Sequence, residues 1–238
     1  MKRVLLLVFC LLMVMLPVCV FASTPTSIEY IDLQASSSVG TANYTVAINP
    51  GDLTSIGATN LLDAKGDKIG TVSWTALVTD DCSSFLNFTA ISGTANTTFT
   101  VNSAVDFSNL SSAQLDGSAS ITLTGGRKSG ATLDGGFNGS AFTALYNGSA
   151  YQTAVQTPFS VGAHDSATQS GDLGTAVYNN VSSLGESYIF TISAGSSASG
   201  TSTLDATPVP EPGSMLAICS GLIGMVGMAG VTARRRKE

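Results

Sequence analysis

His164 is the only imidazole in the chain, and Asp165 and Ser166 follow it directly. Base, carboxylate and hydroxyl are the residue types of a nucleophilic hydrolase, in which the base is held against the nucleophile and oriented by the acid. As consecutive residues they cannot face one another in that geometry, so the triplet reads as a solvated loop. Cys82 is the other nucleophile to weigh. Cys10 and Cys19 fall in an apolar N-terminal stretch and Cys219 in an apolar C-terminal one, which leaves Cys82 alone between them. No internal disulfide is available there, and a buried, inert thiol is expected. Carboxylate pairs for glycoside hydrolysis exist in number, but no spacing singles one out. Calcium is the least weak ligand idea, with oxygens from Asp63 and Asp67 or from Asp80-Asp81. Lys65 interrupts the first set, and neither has the spacing of a twelve-residue calcium loop. No zinc pattern and no phosphate-binding loop occurs. The residues assign no catalytic side chain and no metal ligand, and the reading is non-enzymatic, with no cofactor.

The elements that would carry these residues are short alternating runs bounded by Gly, Ser, Asn and Asp. Ser27 to Leu33, Tyr44 to Ile48 and Ile69 to Thr79 read as strands, the last with the lone Trp74. Asn49-Pro50-Gly51-Asp52 stops the second, and Asp63 to Asp67 forms a turn. Phe85 to Ile91 and Thr97 to Val101 read as a hairpin about Ser92-Gly93. Ser118 to Thr124, Tyr178 to Val181, Glu186 to Ala194 and Gly200 to Asp205 complete the set. The last two form a hairpin through Gly195, with Tyr188, Phe190 and Ile192 on the core face. Asn138-Gly139-Ser140-Ala141-Phe142 recurs nine residues later as Asn147-Gly148-Ser149-Ala150-Tyr151. Each Asn-Gly suits the two positive-φ positions of a type I′ turn. Phe142 and Tyr151 are then expected to pack alike, in core or edge, the alternative being an exposed platform for sugar. Asp106 to Leu115 has room for a single helical turn, and Pro158 leaves Val155 to Ala163 ambiguous. Spacings of about 8–12 residues mark an all-β sandwich or barrel. The expected fold is all-β, an antiparallel two-sheet sandwich of jelly-roll type, flanked by an N-terminal signal helix and a C-terminal transmembrane helix.

Charge narrows the partners. Between Ser23 and Pro208 stand fourteen of the sixteen acids, against four bases, Lys65, Lys68, Arg127 and Lys128. Such an acidic surface argues against nucleic acid and anionic lipid. The whole chain is only 11% charged, far below the ~25% of ordinary soluble domains. Ser, Thr, Gly, Ala and Asn take up the difference, and such surfaces offer many weak hydrogen bonds, including to sugars. The seven Asn-x-Ser/Thr sequons, from Asn43 to Asn180, follow from that composition by chance.

The two ends are organised differently. Met1-Lys2-Arg3 precedes an apolar run from Val4 to Val20 and then Val20-Phe21-Ala22, which reads as a signal peptide, 1–22, cleaved after Ala22. Lipidation at Cys19 is the alternative, with Val18 a poor fit before it. The C-terminal end reads Val209-Pro210-Glu211-Pro212, an apolar run and Arg234-Arg235-Arg236-Lys237. The prolines hold the backbone extended. Met215 to Ala233 is 19 uncharged residues; as a helix it spans ~28 Å, just enough for a hydrocarbon core of about 30 Å. The basic run keeps the terminus cytoplasmic and puts the rest outside.

These three pieces together resemble the PEP-CTERM sorting signal of exported bacterial proteins, over about 30 of the 238 residues. The resemblance implies Pro210, Glu211 and Pro212 as the sorting motif and Arg234, Arg235, Arg236 and Lys237 as the basic stop. It implies an exosortase-type membrane transpeptidase as partner, anchoring in the inner membrane of a Gram-negative bacterium through the C-terminal helix, then the cell surface or extracellular matrix. The expected organisation is a signal peptide at 1–22, a β-sandwich at 23–206 and a sorting and anchor segment at 207–238, its helix over about 214–233. The expected role is a surface or biofilm-matrix protein in contact with exopolysaccharide. The alternatives are a secreted polysaccharide hydrolase or lyase on a β scaffold, and a receptor that keeps its anchor.

Overall fold

A computed structural model of the chain describes residues 29–48, 54–78 and 82–209. The expected signal peptide, the sorting motif, the transmembrane helix, the basic stop, the Asn49–Asp52 stop and Asp80-Asp81 lie outside the described residues. Thirteen antiparallel strands make up the described part: β1 (Glu29–Ser37), β2 (Thr41–Ile48), β3 (Thr54–Leu62), β4 (Lys68–Val78), β5 (Ser83–Ser92), β6 (Thr97–Thr124), β7 (Ala131–Gly135), β8 (Ser140–Tyr146), β9 (Ser149–Gln156), β10 (Phe159–Val161), β11 (Ser166–Asp172), β12 (Ala176–Ile192) and β13 (Ser197–Pro208). No helix occurs among the described residues.

β6 is the organising element. Its 28 residues bury every second side chain from Thr97 to Phe107 and again from Ala113 to Leu123, apart from Gly117. Around Leu110 that phase slips. Opposite the slip, the register with β12 jumps from Val181↔Leu110 to Ser183↔Asp106. Extra residues on one strand of a pair bend it and increase its twist, so β6 changes direction there. Its first half pairs with β1 on one edge and β12 on the other. Its second half pairs with β13 and β11. From β13 the sheet continues through β5 and β4 to β3.

The interior is aromatic. Phe88 of β5 meets Tyr188 and Phe190 of β12 at centroid distances of 4.9 and 5.7 Å, although the two strands are not paired. Phe99 stacks on Phe190 at 5.8 Å and Phe142 meets Tyr188 at 4.8 Å. The expected face of Tyr188, Phe190 and Ile192 is wholly buried. Both Asn-Gly turns form as their composition dictates, with φ of 48° at Asn138 and Asn147 and of 90° and 73° at the glycines.

Several expectations need correction. Asp106 to Leu115 is strand, not helix, because it finds ladder partners on β12. Phe85–Ile91 and Thr97–Val101 are not a hairpin: β5 pairs with β4 and β13. The Gly93 amide donates to Ile69 O, and Gly93 O accepts from the Gly195 amide, so the loop crosses over the start of β4 without reversing in plane. The segments expected at 178–181 and 186–194 belong to one strand, β12, which ends at Ile192. Gly195, at φ 69°, does turn the chain back. The strands on either side of it, however, pair with opposite edges of β6 and not with each other. Phe142 and Tyr151 do not pack alike. Phe142 is fully buried, while Tyr151 is half-buried in a cluster with Tyr146 and Tyr178. A register break between Ala144 and Leu145 shifts the second copy of the repeat.

Candidate functional site

Alternation on β6, β13, β5 and β4 sends apolar side chains inward and the residues between them outward. The registers then place small polar side chains side by side across five strands. One row runs Thr168, Thr122, Ser199, Thr89, Ser73. The row beside it runs Ser170, Ser120, Thr201, Asn87, Thr75. A third begins Ser166, Thr124, Ser197. Pleated geometry spaces such rows by ~6.8 Å and neighbours within a row by ~4.8 Å. The outcome is a grid of uncharged hydroxyls and one amide.

The grid is held from within. Thr122 and Thr168 share a hydrogen bond of 2.8 Å, Thr124 and Ser166 one of 2.9 Å, and Thr89 and Ser199 one of 2.9 Å. The Asn87 amide donates to Thr201 at 3.1 Å. Each hydroxyl has one donor and two acceptor sites. A bonded pair therefore keeps one donor and three acceptor sites for a ligand, with the donating hydroxyl's rotor already fixed. Composition showed that such groups would be plentiful; only the register shows that they converge.

At one end the grid meets carboxylates. Asp172, Ser118 and Thr203 form the next row, and Asp116 stands opposite Asp205 beyond it. With Gly117, Gly174 and Thr175 these residues line a cleft of about 460 Å³. Ser118 and Thr203 are hydrogen-bonded at 3.2 Å. Like charges directly opposite on a sheet are unfavourable, so this end favours a donor-rich partner. Among the described residues no group of three or more His, Cys, Asp or Glu is placed to hold a metal ion. Asp63 closes its own turn, with Oδ1 accepting from the amides of Lys65 and Asp67, each at 2.8 Å.

A separate polar feature lies inside. Glu186 of β12 is fully buried, and Ser202 Oγ donates to its Oε2 at 2.6 Å. Oε1 has no hydrogen-bond partner. Burial pushes this carboxyl up to about 7; Ser202 and Ser84 partly counter that, and Asp205 adds to it. The Tyr188 hydroxyl donates to Thr201 O at 2.8 Å, and burial raises its pKa. The Tyr151 hydroxyl, also raised by burial, lies buried without a partner.

The other chemistry-bearing residues of the sequence stay apart. His164, Asp165 and Ser166 are exposed at the turn into β11. There the Ser166 hydroxyl bonds Thr124 Oγ1. Cys82 is buried.

No family model and no curated protein matches the chain. Among solved structures, one from the Gx strain of infectious bursal disease virus matches at 12% identity with a TM-score of 0.24. The match covers 80% of this chain and 64% of that one.

Proposed function

We propose that the chain is an exported surface or extracellular-matrix protein, sorted through Pro210-Glu211-Pro212, whose strands bind uncharged exopolysaccharide on the hydroxyl grid. We read the β6-centred strands as a two-layer sandwich of jelly-roll type, with the grid on the outer face of one layer. The carrying observation is the grid itself. In a region where acids far outnumber bases, five strands together present a face of neutral, pre-oriented hydroxyls. Sugar hydroxyls are complementary to such a face, and carboxylates at its end can accept from two neighbouring sugar hydroxyls. In this reading an exosortase-type transpeptidase is the sorting partner, and the protein passes from the inner membrane to the cell surface or matrix of a Gram-negative bacterium.

Two measurements test the two halves of this proposal. Retention of the protein on the host's own polysaccharide is expected to fall roughly ten- to a thousandfold in a Thr89→Val, Thr122→Val, Ser199→Ala chain, taking about 0.5–1.5 kcal/mol for each of three hydrogen bonds removed. Unchanged retention removes the grid from the proposal. For sorting, the mature wild-type protein is expected to lack the mass of its anchor, and Glu211→Ala to retain it. A wild-type protein that keeps its full tail would be the anchored receptor instead.

One observation favours a second reading, a polysaccharide hydrolase. Asp116 and Asp205 face each other in an open cleft beside the grid, as a pair of acids across a glycosidic bond would. Both are half-exposed, whereas a general acid working at neutral pH is normally shielded from water. Release of reducing ends that disappears in Asp116→Asn and Asp205→Asn would favour this reading.

A further inference from the structure

The edges of the sheet differ in how they are protected. The described edge strands are β2, β3, β9, β10 and β11. An exposed edge is a template for another strand, and proteins blunt it with bulges, prolines, charges or cover. β3 is broken twice in register, between Ile56 and Thr59 and again at Leu61–Leu62. β9 carries Val155 at φ 67°. β10 is three residues long and directly follows Pro158. β11 runs beside β9, where a Cβ at Gly171 would sit 3.2 Å from that of Ala154. Asp63, just past the end of β3, packs against Gly40 immediately before the first residue of β2, but β2 itself carries no such device. It pairs with β1 over eight residues without a break, and it contains no charge, proline or glycine.

We infer that β2 is the interface through which two copies of this chain pair, antiparallel, about a two-fold axis. The strand is self-complementary in one register. Ala42, Tyr44, Val46 and Ile48 point to the core side, with Tyr44 and Val46 only partly covered there. Thr41, Asn43, Thr45 and Ala47 point outward and are exposed. A two-fold axis at Thr45 sets Tyr44 against Val46 of the second copy, and Ala42 against Ile48. It sets Asn43 against Ala47 on the outer face. Inward side chains stay inward, and each Tyr–Val pair is the aromatic and β-branched type that stabilises a sheet. Charge selects this strand as well. The copies are strongly acidic, so they can approach only along a neutral strip. The acid opposite Thr45, Asp32, already accepts from Thr45 Oγ1 at 2.9 Å. The two Asp32 carboxylates of a pair would stand three strand spacings apart, ~14 Å, which exceeds the screening length of about 8 Å at physiological salt.

A Thr45→Cys substitution in the full chain tests this. The pairing places the two residues at 45 within disulfide range, since antiparallel partners have Cα separations of about 4.5–5.5 Å. Mild oxidation is expected to give covalent dimers from this chain and none from Ser199→Cys, which lies on another exposed face. Adding Asn43→Lys and Ala47→Lys puts like charges opposite each other twice, and is expected to reduce cross-linking about tenfold. Both positions are exposed, so folding is spared. Mixing that chain with one carrying Asn43→Glu and Ala47→Glu is expected to restore it. The membrane segment is the same in every chain, so association through it would not respond to these charges. Equal cross-linking at 45 and 199, or cross-linking indifferent to the charges, would overturn the interface.

Discussion

The wild-type protein is expected to lose stability between about pH 4.5 and 7, and a Glu186→Gln chain to lose most of that pH dependence. In the fold the Glu186 carboxyl is raised to about 7, from 4.5 when free in water. Folded protein therefore binds more protons than unfolded protein through that window, and its stability falls as pH rises. Below about 4.5 the carboxyl is neutral in both states and the fold has its full stability. Above about 7 the fold must bury a charge, and the loss levels off. A shift of this size corresponds to about 3 kcal/mol between the two plateaux. The wild-type carboxyl already has an oxygen with no partner, so Gln inherits that defect instead of adding one. Unfolding by denaturant at pH 4.5, 6 and 8 measures the slope. Equal slopes for the two proteins would mean that Glu186 is not held neutral.

The second large effect is at the aromatic centre. Phe88→Ala is expected to cost about 3–5 kcal/mol, the usual range for removing a wholly buried ring. Phe88 touches Tyr188 and Phe190, so its loss opens a cavity between strands that share no backbone hydrogen bonds. The ring lies over Gly200, its cross-strand partner on β13. A Cβ at that position would come within 2.4 Å of the ring. Gly200→Ala alone is therefore expected to cost about 1–3 kcal/mol through overpacking. Combined with Phe88→Leu it should cost less than the sum, because the smaller side chain leaves room for the methyl. The midpoint of denaturant unfolding, at constant slope, reads all three. A cost below about 1 kcal/mol for Phe88→Ala would show that this contact does not hold the core.

The pH effect shows where local reading stops. Glu186 begins an alternating run whose next inward residues, Tyr188, Phe190 and Ile192, were legible as a core face. The same parity places Glu186 in the core, yet nothing local says that Ser202 of another strand will meet it there. Long-range pairing also explains the failed hairpins. Gly93 and Gly195 each follow the end of a strand, but neither closes the hairpin expected there. A turn residue specifies that the chain bends, but not whether it reverses beside itself or crosses to another partner. The candidate grid was visible only as an excess of Ser and Thr.

Some features depend on a few consecutive residues, and there the sequence sufficed. Alternation with β-branched residues marked the strands, because a pleated chain puts successive side chains on opposite faces. Asn138-Gly139 and Asn147-Gly148 made their turns because those residues tolerate positive φ. The tertiary structure alone decided that β6 runs through 28 residues and serves both halves of the sheet. It alone decided that Asp116 meets Asp205 and that β2 is an unbroken edge strand. Each of these is a matter of register between segments far apart in the chain. Register is set by which faces bury one another, a property of the whole fold that no single stretch contains.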